Sequence, residues 1–186
     1  MIKMDKEKIA ARNLLRKGKE PRGIKIEGYD FDKGVDYPAI IKSFASSGAQ
    51  ASNFFKAIDI TKKMIKNKSF IFLGYTSNMV SSGNRDIIRY LVKHKMVDVC
   101  VTTCGGIEED IIKCLGDFIL GDFNAKGENL REKGINRIGN IFASNNRYVE
   151  FEEFLQPLLE EIYKKDKSIS PSDLIWEIGR KINDEK

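Results

Sequence analysis

The stretch from Phe72 to Glu109 constrains the fold of this chain more than any other part of the sequence. It contains a short apolar run, a Ser/Gly-rich turn, an amphipathic helical pattern, a β-branched run and a second Gly-rich turn. Two buried strands joined through a helix form a parallel pair with a right-handed crossover. Because the carboxyl ends of parallel strands share one edge of the sheet, we expect the two turns to lie side by side there.

The remaining hydrophobic periodicity predicts an α/β protein with a Rossmann-like, mostly parallel sheet flanked by helices. Strands are predicted at Ser69–Gly74 and Val97–Thr103, with a third at Ile138–Ala143. A doubly wound dinucleotide fold has about six strands in two similar halves, so the pattern indicates about half of such a fold. Helices are predicted at about 5–17, 38–46, 51–66, 83–95, 107–115, 149–164 and 171–182.

Breaker residues and charge divide the chain into two predicted parts. Residues 1–23 form a charged N-terminal helix followed by the linker GKEPRG, and residues 24–186 form a single domain. The N-terminal arm is either free or docked on a neighbouring subunit. It lacks the apolar core of a secretory signal.

Composition narrows the class of protein. The chain has 186 residues with a net charge of +5, and 41% of its residues are hydrophobic. Its basic residues are scattered among acids, which argues against a nucleic-acid partner. No apolar stretch reaches the roughly 18–20 residues that cross a bilayer, so no membrane partner is expected. The prediction is a cytoplasmic protein.

The number and spacing of the three cysteines predict reduced thiols rather than disulfide bonds or a zinc site. Cys100, Cys104 and Cys114 form no CxxC pair, and His94 is the single histidine of the chain. A disulfide network and a zinc site are therefore not expected, and no metal site is predicted. His94 is interpreted as a solvated residue at a helix end, and a Cys104–His nucleophile is disfavoured because no matching base accompanies it.

Two turns carry the candidate binding chemistry. Thr76–Gly83 leaves a strand with small donor-rich residues, which suits either a phosphate-binding helix start or an ordinary Ser-capped turn. Thr102–Gly106 has the same placement, and its two glycines permit close backbone approach to a flat ligand. The pattern is neither GxGxxG nor a P-loop. Two such turns after successive strands favour a binding cleft.

Three acids follow the second turn directly. Glu108, Glu109 and Asp110 suit the positive end of a helix dipole, and they also suit a site for the ammonium groups of a polyamine. Magnesium remains open, although no further carboxylates are spaced to complete its coordination shell. Trp176 is interpreted as a packing residue of the last helix rather than a stacking platform.

Long segments of this chain resemble deoxyhypusine synthase. They are IEGYDFDKGVDY at 26–37, FLGYTSNMVSSGNRDIIRYLVKHKMVDVCVTTCGGIEEDIIKCL at 72–115 and LREKGINRIGN at 130–140. The C-terminal SPSDLIWEIGRKIND is similar to the next helix of that family. The resemblance covers nearly all of the chain from about residue 24 onward, and it implies the N-terminal portion of a doubly wound NAD-binding fold.

The resemblance implies an NAD-dependent transferase. The family moves the aminobutyl group of spermidine to one lysine of the hypusine-containing eukaryotic translation initiation factor precursor, the first step of hypusine biosynthesis. The chemistry runs through hydride transfer to NAD and capture of the group on an enzyme lysine. Members of the family are tetramers whose sites use residues of two subunits. The implied NAD contacts are Ser77, Asn78, Met79, Val80, Ser81, Thr103, Cys104, Gly105 and Glu109, with Glu108 and Glu109 contacting spermidine.

One departure limits the implied activity. The family's nucleophilic lysine lies in a Gly-rich stretch before paired histidines, and this sequence contains no such motif. No catalytic residue is therefore predicted in this chain, and the chain alone is expected to be inactive. Either it is the N-terminal half of a deoxyhypusine synthase whose catalytic half is truncated, proteolysed away or carried on another chain of a homo- or hetero-tetramer, or it is a catalytically dead short paralogue that regulates an active subunit. Cys104, where the family usually has Ala, is a smaller departure.

Overall fold

The computed structural model describes residues 6–15, 18–165 and 168–184. The chain divides into two compact units, Met1–Asn67 and Lys68–Lys186. The sequence placed a boundary after residue 23 instead, and that division of the chain into domains stays a prediction. Part of the predicted first helix, at Asp5, Arg16 and Lys17, lies outside the described residues.

The first unit is helical in its described part. Its helices are α1 (Lys6–Leu14), α2 (Tyr37–Ser43) and α3 (Ala49–Lys66), and a 3-10 turn spans Phe31–Lys33. Helix α2 begins where the sequence predicts, because the Asp36 carboxylate accepts the N–H of Ala39 at 3.2 Å and Pro38 occupies the first turn.

The second unit alternates strands and helices and contains the parallel strands. Its elements are β1 (Phe72–Tyr75), α4 (Ser77–Ser81), α5 (Asn84–Lys93), β2 (Val99–Thr102), α6 (Cys104–Leu115), β3 (Ile119–Leu120), α7 (Gly127–Glu132), β4 (Ile135–Ile138), β5 (Ile141–Ser144), α8 (Asn145–Lys165) and α9 (Pro171–Asp184).

Strands β1 and β2 form the parallel pair that the sequence predicts. Their register runs from Phe72 opposite Val99 to Tyr75 opposite Thr102. Helices α4 and α5 make the connection between them, as a parallel pair requires. The predicted Rossmann-like α/β class with a parallel sheet is confirmed.

The predicted third strand, Ile138–Ala143, is wrong in detail. The segment contains the turn of a hairpin in which β4 and β5 pair antiparallel, and the sheet order is β3-β5-β4. Ile138 pairs with Ile141 across a two-residue loop, and Gly139 has φ +60°. A glycine at the first loop position permits the type II′ turn that matches the twist of a hairpin. The Gly-Asn pair was the overlooked turn signal.

The core of the second unit lies between α6, α8 and α9. Its buried residues are Ile111 of α6, Leu158 and Ile162 of α8, and Ile178 of α9. The start of α9 agrees with its sequence signal, since the Ser170 hydroxyl accepts the N–H of Asp173 at 3.2 Å. This core supports α6, the helix that follows β2 directly.

A search of the described residues for membrane spans found no helix that combines the necessary length and apolar character.

Replacing Ile112 by alanine should destabilise the second unit strongly. Its side chain is 0% exposed, and removing a buried isoleucine side chain costs about 2–5 kcal/mol through lost burial and the cavity left behind. Urea denaturation followed by circular dichroism measures the loss. Ile87→Ala is the matched control because Ile87 is 57% exposed on α5. Equal losses for both variants would contradict the assigned core.

Candidate functional site

The candidate site lies at the carboxyl ends of β1 and β2. Tyr75 and Thr102 end the two strands side by side, and each is followed by a threonine N-cap and a helix. Helix α4 starts at Ser77 and α6 starts at Cys104. The expected adjacency of the two turns is therefore present in the structure.

The two predicted turns are mostly helical, which corrects the sequence-based assignment. Ser77–Ser81 form α4, and the glycine pair lies in the first turn of α6 instead of before it. Serine and glycine have weak helix propensities, so local sequence favoured loops. The stability that local propensity does not give to these helical turns comes from packing between α4 and α6.

The glycine pair makes room for protein atoms. A Cβ on Gly105 would lie 3.1 Å from the Cβ of Ser77, and a Cβ on Gly106 would overlap the hydroxyl oxygen of Thr102. Gly106 is itself buried. The two glycines thus let α6 approach both α4 and the end of β2. This close approach sets the spacing between the two helix starts.

Neither helix start is capped by its threonine. Thr76 and Thr103 are the N-cap residues of α4 and α6, and neither side chain accepts a hydrogen bond from the first turn of its helix. The first N–H groups of a helix have no partner within the helix, and they carry the positive end of its dipole. Two uncapped starts side by side form a surface suited to an anionic group.

The predicted residues on α4 divide between the surface and the interior. Asn78 and Met79 are exposed, and Ser77 is half-buried. Val80 and Ser81 are each 3% exposed, so their side chains lie within the protein. The Ser81 hydroxyl donates a hydrogen bond to the Glu109 carboxylate of α6. On α6 and its cap, Thr103 and Cys104 are exposed and Gly105 is half-buried.

The three acids at the start of α6 have different surroundings. Asp110 accepts the Nε–H of Arg85 from α5 at 2.5 Å and therefore has a protein partner. Among the described residues, neither Glu108 nor Glu109 forms an ion pair with a lysine or arginine, and both are half-buried. Two adjacent carboxylates with this environment leave negative charge available to a cationic ligand.

The pKa of the Glu109 carboxyl is raised above its ordinary value. Burial is the largest cause, the neighbouring Glu108 charge adds to it, and the Lys113 ammonium opposes both. A carboxylate whose charge is disfavoured in this way gains from a bound cation, because the cation offsets both the burial and the like charge.

Tyr148 is a residue of the site that the sequence pattern did not predict. It lies in the first turns of α8, and the pKa of its phenol is raised by burial and then by the Glu109 and Glu108 charges. The phenol is therefore within electrostatic reach of both carboxylates. The sequence pattern showed only a helix start here, so this residue was missed.

A cavity of about 910 Å³ opens beside Glu108 and the start of α6. Thr103, Cys104 and Glu108 line one side of it, and Phe151, Leu155 and Ile178 belong to its apolar wall. Polar groups at the rim of an apolar cavity are typical of small-molecule sites.

The sequence-based interpretations of His94, the cysteines and Trp176 had different outcomes. His94 is exposed at the C-terminal end of α5, as expected. Cys100, Cys104 and Cys114 are free thiols. The packing role expected for Trp176 is wrong, because its side chain is 66% exposed. The apolar stripe of α9 runs through Leu174, Ile178 and Ile182, and Trp176 lies on another face of the helix.

Fold and site together define an α/β protein with a ligand cleft at the carboxyl edge of its parallel strands. Residues 39–186 match the family model described as deoxyhypusine synthase. The chain is 47% identical over 190 residues to deoxyhypusine synthase of Arabidopsis thaliana, covering 87% of this chain and 52% of that protein. It is 46% identical over 189 residues to deoxyhypusine synthase of Senecio vernalis, covering 87% and 51%. The chain belongs to the deoxyhypusine synthase family.

A solved structure agrees with this assignment. A crystal structure of an Entamoeba histolytica protein assigned as a deoxyhypusine synthase superposes with a TM-score of 0.57 at 34% identity. The match covers 85% of this chain and 57% of that one. The chain spans about half the length of the curated relatives it matches.

Replacing Gly106 by alanine should destabilise the protein, because the added Cβ would overlap the Thr102 hydroxyl. We expect a loss of about 1–3 kcal/mol, the usual cost of inserting a methyl group into a packed region. Gly127→Ala is the control, since a Cβ there meets nothing within 4 Å and Gly127 also lies in a first helical turn. Urea denaturation compares the two, and a neutral Gly106→Ala would show that α6 can shift away from β2.

Glu109→Gln should stabilise the chain at neutral pH. Because the folded-state pKa of Glu109 is raised above its ordinary value of 4.5, the folded protein binds this proton more tightly than the unfolded chain. The wild type therefore loses stability as the pH rises through 4.5 and then through the raised pKa, and the glutamine variant does not. Urea denaturation at about pH 4 and about pH 7 compares the variants, with exposed Glu128→Gln as control. A variant less stable than wild type at neutral pH would contradict the assigned direction.

Proposed function

We propose that this chain is one half of a deoxyhypusine synthase, an NAD-dependent transferase. The enzyme would move the aminobutyl group of spermidine to a specific lysine of the precursor of the hypusine-containing translation initiation factor. One observation carries the proposal: two uncapped helix starts lie next to two half-buried carboxylates that form no ion pair among the described residues. A dinucleotide is anionic and a polyamine is cationic, so the two halves of this site suit the two ligands.

The residues at the helix starts fit NAD. Gly105 approaches Ser77 so closely that a Cβ would lie 3.1 Å from that of Ser77, and this contact brings the first turns of α4 and α6 together. The free N–H groups there would hold the pyrophosphate, and Ser77, Asn78, Met79, Thr103, Cys104 and Gly105 would lie along the cofactor. Val80 and Ser81 would contribute through their backbone or by supporting Glu109, since both side chains are buried. NAD, when bound, accepts a hydride.

Glu108 and Glu109 would hold the ammonium groups of spermidine. An ion pair of this kind at about 4 Å in a partly shielded site is worth up to about 4 kcal/mol before desolvation is subtracted. Burial and the Glu108 charge raise the pKa of Glu109 and Lys113 opposes them, so a bound ammonium would further favour the charged carboxylate. The apolar cavity wall would exclude water from the methylene chain, and the Tyr148 phenol would border the carboxylates.

The remaining catalytic groups would lie outside the 186 residues, on the same polypeptide or on another. The 186 residues contain one histidine and no lysine that precedes paired histidines, so the family's nucleophile is not among them. We infer that the active enzyme is a cytoplasmic tetramer, homo- or hetero-oligomeric, whose subunits carry that segment. Native mass spectrometry of the protein isolated from its source would identify such a partner. Recovery of this chain only as a species of its own mass would count against completion in trans.

The purified chain should form no covalent adduct with spermidine in the presence of NAD. The reason is the missing lysine motif, and intact-mass spectrometry provides the measurement. A chain carrying an added aminobutyl group would overturn the proposal that the nucleophile lies outside these 186 residues.

In the completed enzyme, Glu109→Gln should raise the KM for spermidine by about tenfold or more. A hydrogen bond to a charged group contributes about 1.5–3 kcal/mol, and the amide retains the shape but not the charge. Steady-state kinetics with varied spermidine measures the effect. Glu128→Gln should leave the KM unchanged, because Glu128 is exposed on α7. An unaltered KM for Glu109→Gln would remove this residue from the site.

A further inference from the structure

Lys113 of α6 reaches the far end of α4. Its ammonium donates hydrogen bonds to the carbonyl oxygens of Val80 at 3.0 Å, Ser81 at 2.9 Å and Ser82 at 3.4 Å. The last carbonyls of a helix have no partner within it, and an ammonium has three N–H donors. Lys113 therefore serves as the C-terminal cap of α4, supplied from another helix.

Helix α4 needs such external contacts. It has five residues, far fewer than a helix requires for stability in water, and its N-cap threonine makes no capping hydrogen bond. Two side-chain contacts connect it to α6: the Lys113 ammonium on its carbonyls and the Ser81 hydroxyl on Glu109. Glu109 and Lys113 are four residues apart, so both contacts come from one face of α6.

We propose that Lys113 is a positioning residue that holds the C-terminal end of α4 against α6 and thereby keeps the Ser81 hydroxyl on the Glu109 carboxylate. Its consequence for binding a dinucleotide and a polyamine rests on the proposed function. The contact itself does not, because it concerns only this chain's own residues.

The charges around the two groups are distributed over several elements. Glu109 is influenced by Glu108 and Lys113 on α6, and the Glu109 charge in turn raises the pKa of the Tyr148 phenol on α8. The pKa of Lys113 is lowered, first by burial and then by the Arg85 charge, while three acids oppose that shift; they are Asp86 on α5 and Asp110 and Glu109 on α6. The Phe118 ring lies 5.8 Å from the ammonium.

The lysine thus has two separable effects. Its three donors are occupied by carbonyl oxygens, so it does not neutralise Glu109 by direct pairing. Its positive charge nevertheless opposes the rise in the pKa of Glu109. Loss of Lys113 should therefore loosen α4 and raise the pKa of Glu109 further.

Lys113→Met in the full chain tests the proposal, with Lys164→Met as control because Lys164 is exposed on α8. Amide hydrogen exchange should accelerate by about tenfold or more at Ser81 and Ser82, since hydrogen bonds from a charged donor contribute about 1.5–3 kcal/mol. A carbon-13 NMR titration of the glutamate carboxyls should show Glu109 titrating at higher pH. The control should change neither readout.

A general loss of stability alone would not move the Glu109 titration in the folded protein, so that readout separates loss of the Lys113 charge from support of the fold. Exchange at Ser81 and Ser82 reports the positioning of α4. If Lys113→Met unfolds the second unit, Lys113→Gln replaces it, because the amide keeps donors without the charge. Unchanged exchange in α4 overturns the proposal, whatever the Glu109 titration shows.

Calorimetry with NAD and with spermidine on the completed enzyme then separates the two claims. Wild type that binds neither ligand would refute the proposed function, whereas the exchange and titration results would still decide the role of Lys113. Wild type that binds both should lose about tenfold in affinity when Lys113 is replaced by Met. Unchanged affinity in a variant with altered exchange would limit Lys113 to holding α4.

Discussion

The close packing of α4 on α6 is the contact on which the rest of the site depends. It requires glycine at 106, because a Cβ there would overlap the Thr102 hydroxyl, and it leaves little space at 105, where a Cβ would lie 3.1 Å from that of Ser77. It also requires polar contacts, since α4 is too short to persist alone. The Lys113 ammonium and the Glu109 carboxylate provide these contacts. With α4 held in this way, two helix starts face the same edge of the parallel strands.

The charge at this edge of the sheet depends on which of the three acids of α6 has a cationic partner. Asp110 is paired with Arg85, which joins α5 to α6. Lys113, the other nearby cation, donates to backbone carbonyls. Glu108 and Glu109 consequently have no cationic partner among the described residues, and burial raises the pKa of Glu109. Positive helix ends thus adjoin uncompensated negative charge within one small region.

The two parallel strands have large apolar side chains that are exposed. Phe72 of β1 is 67% exposed and Val101 of β2 is 57% exposed. Parallel strands are normally covered on both faces by other elements. The chain spans about half the length of its curated relatives.

The local sequence pattern was sufficient to predict the two parallel strands and the starts of several helices. The β-branched run before Thr103 and the apolar run before Tyr75 predicted a parallel pair. The helices predicted to start at about Pro38 and Pro171 are present in the structure. The sequence pattern gave wrong predictions where tertiary packing overrode the local preference of the residues. Ser77–Ser81 looked like a loop, and Trp176 looked buried because only its residue type was considered.

The sequence by itself determined the α/β class, the two adjacent strand ends, the candidate residues and, through long shared motifs, the family. Only the tertiary structure decided what each candidate residue contacts. Ser81 and Glu109 are 28 residues apart, and Lys113 and Val80 are 33 apart. Contacts of this separation depend on how α4 and α6 pack, which no local periodicity encodes. For the same reason the sequence could list three acids in a row, but the fold alone determined that Asp110 is paired and that Glu108 and Glu109 are not.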